Sequence, residues 1–322
     1  MYTLSSATTA FHTPQARRDF LAGLWRLADP KVTLASMSAI FLGACAAARS
    51  GPLSWKRLAW IVAGIFFIEV AKNASGDIVD FDSGTDHGIL PEDRTPFSGG
   101  KRVMVDGLLS RQETTVIAGV FYALGAACGL WIVLRYEPWV FPLGLAGMAL
   151  AYFYHAPPLS LSYQGFGELA VGLAYGPLIG SGAYAVLRGV PSWPVVLLFA
   201  PLGLLIAAFL WINEFPDCDA DRAAGKKTWV VRLGKRRAAR VFGGLIAAAG
   251  LTSLALPLTG WGASVLLGLP GVAAGAWAAM RLPGSYDETK NLIPLQALTL
   301  LAFLLLSFGS GIGLLLSAPV VP

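Results

Sequence analysis

The stretch WKRLAWIVAGIFFIEVAKN, residues 55–73, runs without a charge from Leu58 to Val70 except at Glu69. It approaches the roughly 20 residues that an α-helix needs to cross a hydrocarbon layer about 30 Å thick. Such a run reads as a spanning helix, because in lipid the backbone N–H and C=O groups must pair within the segment itself. Runs of the same kind recur at 32–49, 114–134, 138–156, 168–187, 193–213, 239–258, 260–280 and 293–317. The chain as a whole agrees: of 322 residues, 55% are hydrophobic and only 13% are charged, half the roughly 25% charge of a typical soluble domain. The sequence therefore predicts an all-α polytopic membrane protein with nine transmembrane helices, and the alternation expected of barrel strands is not seen.

The flanks are short. Residues 1–31 carry no apolar core of a cleavable signal peptide. Within them PQARRDFLAGLWRLADPK (14–31) reads as an amphipathic helix lying at the interface, with Phe20, Leu21, Leu24, Trp25 and Leu27 for the acyl boundary and Arg17, Arg18 and Arg26 for lipid headgroups. The nine-helix domain follows at 32–317, then a short tail at 318–322. Lys and Arg fix the orientation, since cytoplasmic loops carry the excess. With nine spans, 19 of the 24 fall on the N-terminal side, so the N-terminus is expected in the cytoplasm and the C-terminus outside. That bias accounts for the sequence pI of about 9.2, and no nucleic-acid partner is implied. Cys45, Cys128 and Cys218 share no metal-binding spacing and read as small apolar residues or reduced thiols.

The acidic residues are unevenly spread. Of 19 Asp and Glu, eight lie between Asp77 and Glu113 and four between Glu214 and Asp221, in two segments that the span count puts on the same face. Each segment starts with Asn at the end of a span: Asn73, Asp77, Asp80 after the second, Asn213, Asp217, Asp221 after the sixth. Residues three and four apart share a helix face, so a helical continuation aims each set of oxygens one way. Carboxylates at a membrane edge are costly without a partner. The partner that fits is Mg²⁺, which takes a few carboxylates, keeps waters and shares its remaining positions with phosphate oxygens. DFDSGTD (80–86) lacks the spacing of a Ca²⁺ loop.

Cations stand beside these acids: Arg94, Lys101 and Arg102 in the first segment, Arg222, Lys226 and Lys227 in the second. Metal, Arg and Lys together can hold a diphosphate and stabilise the charge that grows on it as it leaves. Gly99 and Gly100 let backbone N–H groups approach the same anion. Three function classes follow: a diphosphate-handling enzyme, an ion-coupled transporter, or a scaffold with acidic docking loops. Transporter acids are expected near the bilayer midplane, and a scaffold leaves the Asn–Asp repeat without a purpose.

With Asp motifs after the second and sixth of nine spans, the chain resembles the UbiA superfamily of intramembrane prenyltransferases. DFDSGTD with DRTPFSGGKRV, YHAPPLSLSYQGFGELAVGLAYGP (154–177) and NEFPDCDADRAAGKKTWVVRLG (213–234) are most similar to its 1,4-dihydroxy-2-naphthoate polyprenyltransferase branch. The first motif of that family usually reads N-D-x-x-D. Here Gly76 stands four residues before Asp80, where that Asn belongs if DFDSGTD sets the register, whereas Asn73 with Asp77 gives an intact but shifted motif.

The resemblance implies a bundle with a lateral cavity open to lipid, and Mg²⁺-dependent ionisation of a polyprenyl diphosphate to an allylic cation. An electron-rich aromatic acceptor then attacks and, in this branch, loses its carboxylate. It implies Asp77, Asp80, Asp86, Asp217 and Asp221 as metal ligands, and Asn73, Arg94, Lys101, Arg102, Asn213, Arg222 and Lys226 at the diphosphate. Aromatic rings suit the cation, so Tyr152, Tyr154 and Tyr163 are candidates for the lining, with His155 and Glu168 facing the acceptor. Alternative acceptors are 4-hydroxybenzoate, homogentisate, a tetrapyrrole, a glycerophosphate or a second prenyl chain.

Overall fold

A computed structural model describes residues 14–317; the tail expected at 318–322 and the first thirteen residues lie outside that range. Every regular element among the described residues is helical. The longer ones are α1 (Pro14–Ala28), α2 (Pro30–Ala48), α3 (Trp55–Asp82), α4 (Arg111–Arg135), α5 (Val140–Phe153), α6 (Gly167–Arg188), α7 (Trp193–Ala223), α8 (Lys235–Thr259), α9 (Ala263–Gly284) and α10 (Thr289–Leu316). Eight stretches among them are long and apolar enough to span, with α1 and α2 forming one of the eight. The ninth, α5, is a shorter apolar helix of 14 residues.

Local sequence sets the ends. Asp29 caps α2 with Pro30 at its first position, the place where a missing N–H costs nothing. Ser110 and Glu113 close a reciprocal capping box on α4. The main departure from the sequence reading is the length of α3 and α7. The second and sixth spans are expected to stop at 73 and 213 with the acids in loops, whereas α3 runs on to Asp82 and α7 to Ala223. At 1.5 Å per residue, the 28 residues of α3 make about 42 Å, well beyond the ~30 Å hydrocarbon layer. Hydropathy falls where the helix leaves lipid, but the hydrogen-bond ladder has no reason to stop there.

The bundle closes on itself. The first and last spans, α2 and α10, pack together, and Ser307 donates to the Ser38 carbonyl at 2.7 Å. The largest core surrounds α7, with Phe199, Leu202, Phe215 and Phe303 fully buried. Along α6, Gly172, Gly176 and Gly180 repeat every four residues against α7; a Cβ on Gly176 would stand 2.6 Å from the Cα of Gly203. Without a hydrophobic drive between helices in lipid, such close backbone contact is what holds this pair. The other half is looser: Leu130 on α4 and Leu145 on α5 stay 54% and 60% exposed.

Candidate active site

The extended ends of α3 and α7 face one another across a polar cavity of about 240 Å³. Asn73, Asp77 and Asp80 line it from α3, Asn213, Glu214, Asp217 and Asp221 from α7, and Tyr154, His155 and Lys226 from the connections. A glycine turn touches both motifs. Gly99 and Gly100 have φ of 96° and 74°, which favours glycine. The Gly99 N–H donates to Asp217 Oδ2 at 3.2 Å, and a Cβ on Gly100 would run into the Asp86 carboxylate.

The first motif is heavily engaged by the protein. Asn73 donates to the Leu27 carbonyl at 2.8 Å, fastening α3 to the end of α1. Asp77 accepts the N–H groups of Val103 and Met104, each at 3.2 Å. Asp80 accepts the Tyr163 hydroxyl at 2.6 Å and lies 3.5 Å from Lys226 Nζ and 4.0 Å from His155 Nε2. Asp86, in the turn after α3, is buried with Oδ2 unpaired. Burial and the neighbouring Asp80 and Asp77 charges push its carboxyl up to about 7. Arg102 donates to the Asp86 carbonyl and, at 3.4 Å, to Asp106.

The second motif keeps more atoms open: Asn213 Oδ1, Glu214 Oε2 and Asp217 Oδ1 are buried without hydrogen-bond partners. Lys226 stands between the motifs, 3.5 Å from both Asp80 and Asp221. Burial opposes its charge, but those two carboxylates outweigh burial and hold its ammonium well above the usual range. Burial drives the His155 imidazole down to about 3, against the pull of Asp80, so it is neutral near pH 7.

A second cavity of about 360 Å³ runs between α3, α4, α5 and α6 and is lined almost wholly by apolar residues such as Ile61, Ile65, Ile68 and Met148. Lys72, Tyr154, Val171 and Tyr175 belong to both walls. At that junction the Lys72 ammonium lies 5.5 Å and 5.9 Å from the ring centres of Tyr154 and Tyr175. Exposed Leu130 and Leu145 mark the side on which the apolar cavity opens toward lipid.

Several sequence candidates stand apart. Arg94 is exposed and donates to the Ile89 carbonyl at 3.4 Å; Arg222 pairs outward with Asp219 at 2.7 Å; neither lines a cavity. Arg102 braces the Asp86 segment from behind. Tyr152 is 47% exposed and meets Tyr122 edge-on, away from the cavities. Glu168 is buried beside Glu214 and accepts the Trp229 N–H at 3.1 Å, so it anchors the segment that follows Lys226. Lys101 lines the polar cavity, paired with Asp29. Asp29, Lys31 and Tyr175 were not singled out by sequence reasoning, and Lys72 reads in the sequence only as a neutraliser of Glu69. Lys72 carried the clearest signal, a lysine one turn after Glu69 inside an apolar helix.

Residues 36–304 match the model of the UbiA prenyltransferase family. The 1,4-dihydroxy-2-naphthoate octaprenyltransferase of Mycobacterium tuberculosis is 30% identical over 64% of this chain and 68% of its own. The enzyme of the same name from Bacillus subtilis is 24% identical over 77% and 78%. A UbiA homologue from Archaeoglobus fulgidus, solved with GPP and Mg²⁺, superposes with a TM-score of 0.64 at 18% identity, covering 91% of this chain and 99% of that one. The transporter and scaffold readings fall away, and an integral membrane protein with two Asp-bearing helices at one cavity takes its place among enzymes: the chain belongs to the UbiA prenyltransferase family.

Proposed function

We propose that the enzyme transfers a polyprenyl chain from polyprenyl diphosphate to 1,4-dihydroxy-2-naphthoate with loss of the carboxylate, a step of menaquinone biosynthesis. One observation carries the reading: a carboxylate-rich cavity shares a wall with an apolar cavity of about 360 Å³ that opens toward lipid. The diphosphate end fits the first, and the prenyl chain fits the second. The Mycobacterium tuberculosis and Bacillus subtilis relatives, both named 1,4-dihydroxy-2-naphthoate octaprenyltransferase, support the choice of acceptor.

The donor set fits Mg²⁺. Buried oxygens of Asp86, Asn213 and Asp217 lack partners, and all are hard donors of the kind Mg²⁺ prefers. Among the described residues no three Asp, Glu, His or Cys side chains converge into a ready-made shell. Asp77, Asp80, Asp86, Asp217 and Asp221 would hold the ion, and when bound it neutralises charge developing on the leaving diphosphate.

The chain's own groups do the rest. Lys226, fixed between Asp80 and Asp221, faces the leaving oxygen, with Lys101 and the amide of Asn213 at the same anion. The bond from the allylic carbon to the diphosphate oxygen breaks, and the developing cation lies against Tyr154 and Tyr175. The apolar walls keep water from capturing it. The ring carbon that carries the carboxylate forms the new C–C bond, and the carboxylate leaves as CO₂, its C–C bonding pair restoring the aromatic ring. Lys72, at the junction, pairs with that carboxylate.

In the cell, the reading places the protein in a bacterial inner membrane with the N-terminus and active site cytoplasmic and the C-terminus outside. Leu21 and Trp25 of α1, both exposed, then enter the headgroup region. The test is product mass spectrometry on detergent-purified enzyme with Mg²⁺, a polyprenyl diphosphate and a panel of aromatic acids. A prenylated, decarboxylated naphthoquinol is the expected product. Diphosphate release with a different prenylated acid overturns the acceptor, and a silent enzyme overturns the donor.

A further inference from the structure

The two acid motifs are not equivalent at one position. Four residues before Asp217 stands Asn213, buried on the cavity wall with Oδ1 unpaired. Four residues before Asp80 stands Gly76, which brings no side chain. The nearby Asn73 does not fill the gap, because its amide is committed to the Leu27 carbonyl at 2.8 Å.

The space over Gly76 is nevertheless occupied. A Cβ on residue 76 would lie 2.5 Å from His155 Cε1 and 2.7 Å from Nδ1, so the imidazole rests directly on the glycine. Any larger residue there would displace the ring. Its Nδ1 is buried with no hydrogen-bond partner, and its Nε2 lies 4.0 Å from Asp80 Oδ2. The ring packs edge-on against Tyr154, with centroids 4.7 Å apart, which fixes its direction. Both Gly76 and His155 line the polar cavity.

We propose that the His155 imidazole, seated on Gly76, is the diphosphate-binding group of the first motif and takes the place that Asn213 holds in the second. The inference rests on the diphosphate reading above and adds a residue pair to it. Gly76 and His155 form one unit, in which the glycine is the seat and the imidazole N–H donates to a phosphate oxygen. Imidazole is a poor ligand for Mg²⁺, so its partner is the anion rather than the ion.

The experiment measures binding of inorganic pyrophosphate with Mg²⁺ to the full-length purified protein by calorimetry, without acceptor or prenyl chain. Loss of one hydrogen bond to a charged group weakens binding by about 10-fold or more. His155→Leu, similar in bulk but without a donor, is expected to show that loss, and His155→Asn, which returns a donor near the Nδ1 position, is expected to stay within about threefold of wild type. Gly76→Asn alone collides with the ring and loses binding, whereas Gly76→Asn with His155→Ala recovers to within about threefold of wild type. If the Gly76 variants do not fold, the Leu and Asn pair decides; if Leu does not fold, His155→Ala reads the same quantity. Wild-type affinity in His155→Leu or His155→Ala overturns the proposal, and a defect seen only on adding acceptor reassigns the imidazole to that substrate. Failure of the wild type itself to bind pyrophosphate overturns the underlying diphosphate reading instead.

Discussion

The acid motif ending α3 and the one ending α7 differ in how many of their atoms the protein itself occupies. On α3, Asn73 holds α1, Asp77 holds the amides of Val103 and Met104, and Asp80 holds the Tyr163 hydroxyl. On α7, Asn213 Oδ1, Glu214 Oε2 and Asp217 Oδ1 face the cavity without partners. One motif is a frame that also binds, and the other is kept open for what binds. Hydrogen bonds to charged groups are worth about 1.5–3 kcal/mol, so the open motif keeps that capacity for what enters the cavity.

That comparison can be broken by substitution. Asp217→Ala is expected to lower turnover by at least about 10²–10³-fold while lowering the unliganded melting temperature less than Asp77→Ala does, because it strands one N–H, that of Gly99, and removes an oxygen without a partner. Asp77→Ala is expected to lower the melting temperature together with activity, since each stranded N–H costs about 1–3 kcal/mol. Calorimetric melting of both variants tests the contrast, and equal melting shifts would erase the distinction between frame and open motif. At the junction, Tyr154→Ala is expected to cut kcat about 10-fold or more and Tyr154→Phe much less, if the ring face meets the cation. Equal losses would assign the work to the hydroxyl. Tyr163→Phe, which frees Asp80 of its 2.6 Å donor, is expected to lower kcat about 5- to 10-fold. Arg222→Ala breaks an exposed pair with Asp219 and a long contact to the Cys218 sulfur, and is expected to change neither turnover nor melting measurably.

What could be read from the sequence follows from period and environment. The nine helices show because lipid forces long apolar runs, and Asn213, Asp217, Asp221 and Asp80 show because helical spacing gathers acids on one face. Arg94 and Arg222 mislead because closeness in sequence to a carboxylate is not closeness in space once the chain leaves the cavity wall. Tyr152 and Tyr154 are two residues apart near the end of α5, hence about 200° apart on the helix, and only one of them turns inward. Lys72 and Asp29 stay hidden because their roles depend on how α1, α2 and α3 pack. The roles of Asn73 and Asp77 as fasteners are set by loop carbonyls and amides that carry no sequence signal.

The open side between α4 and α5, where Leu130 and Leu145 remain exposed, has a kinetic consequence. A prenyl donor that enters there, and a product that leaves the same way, never pass through water. The concentration that governs turnover is then the mole fraction of donor in the surrounding lipid or detergent rather than its amount per litre. Adding inert lipid at fixed enzyme and donor should slow the reaction by surface dilution, and doubling the buffer volume should not.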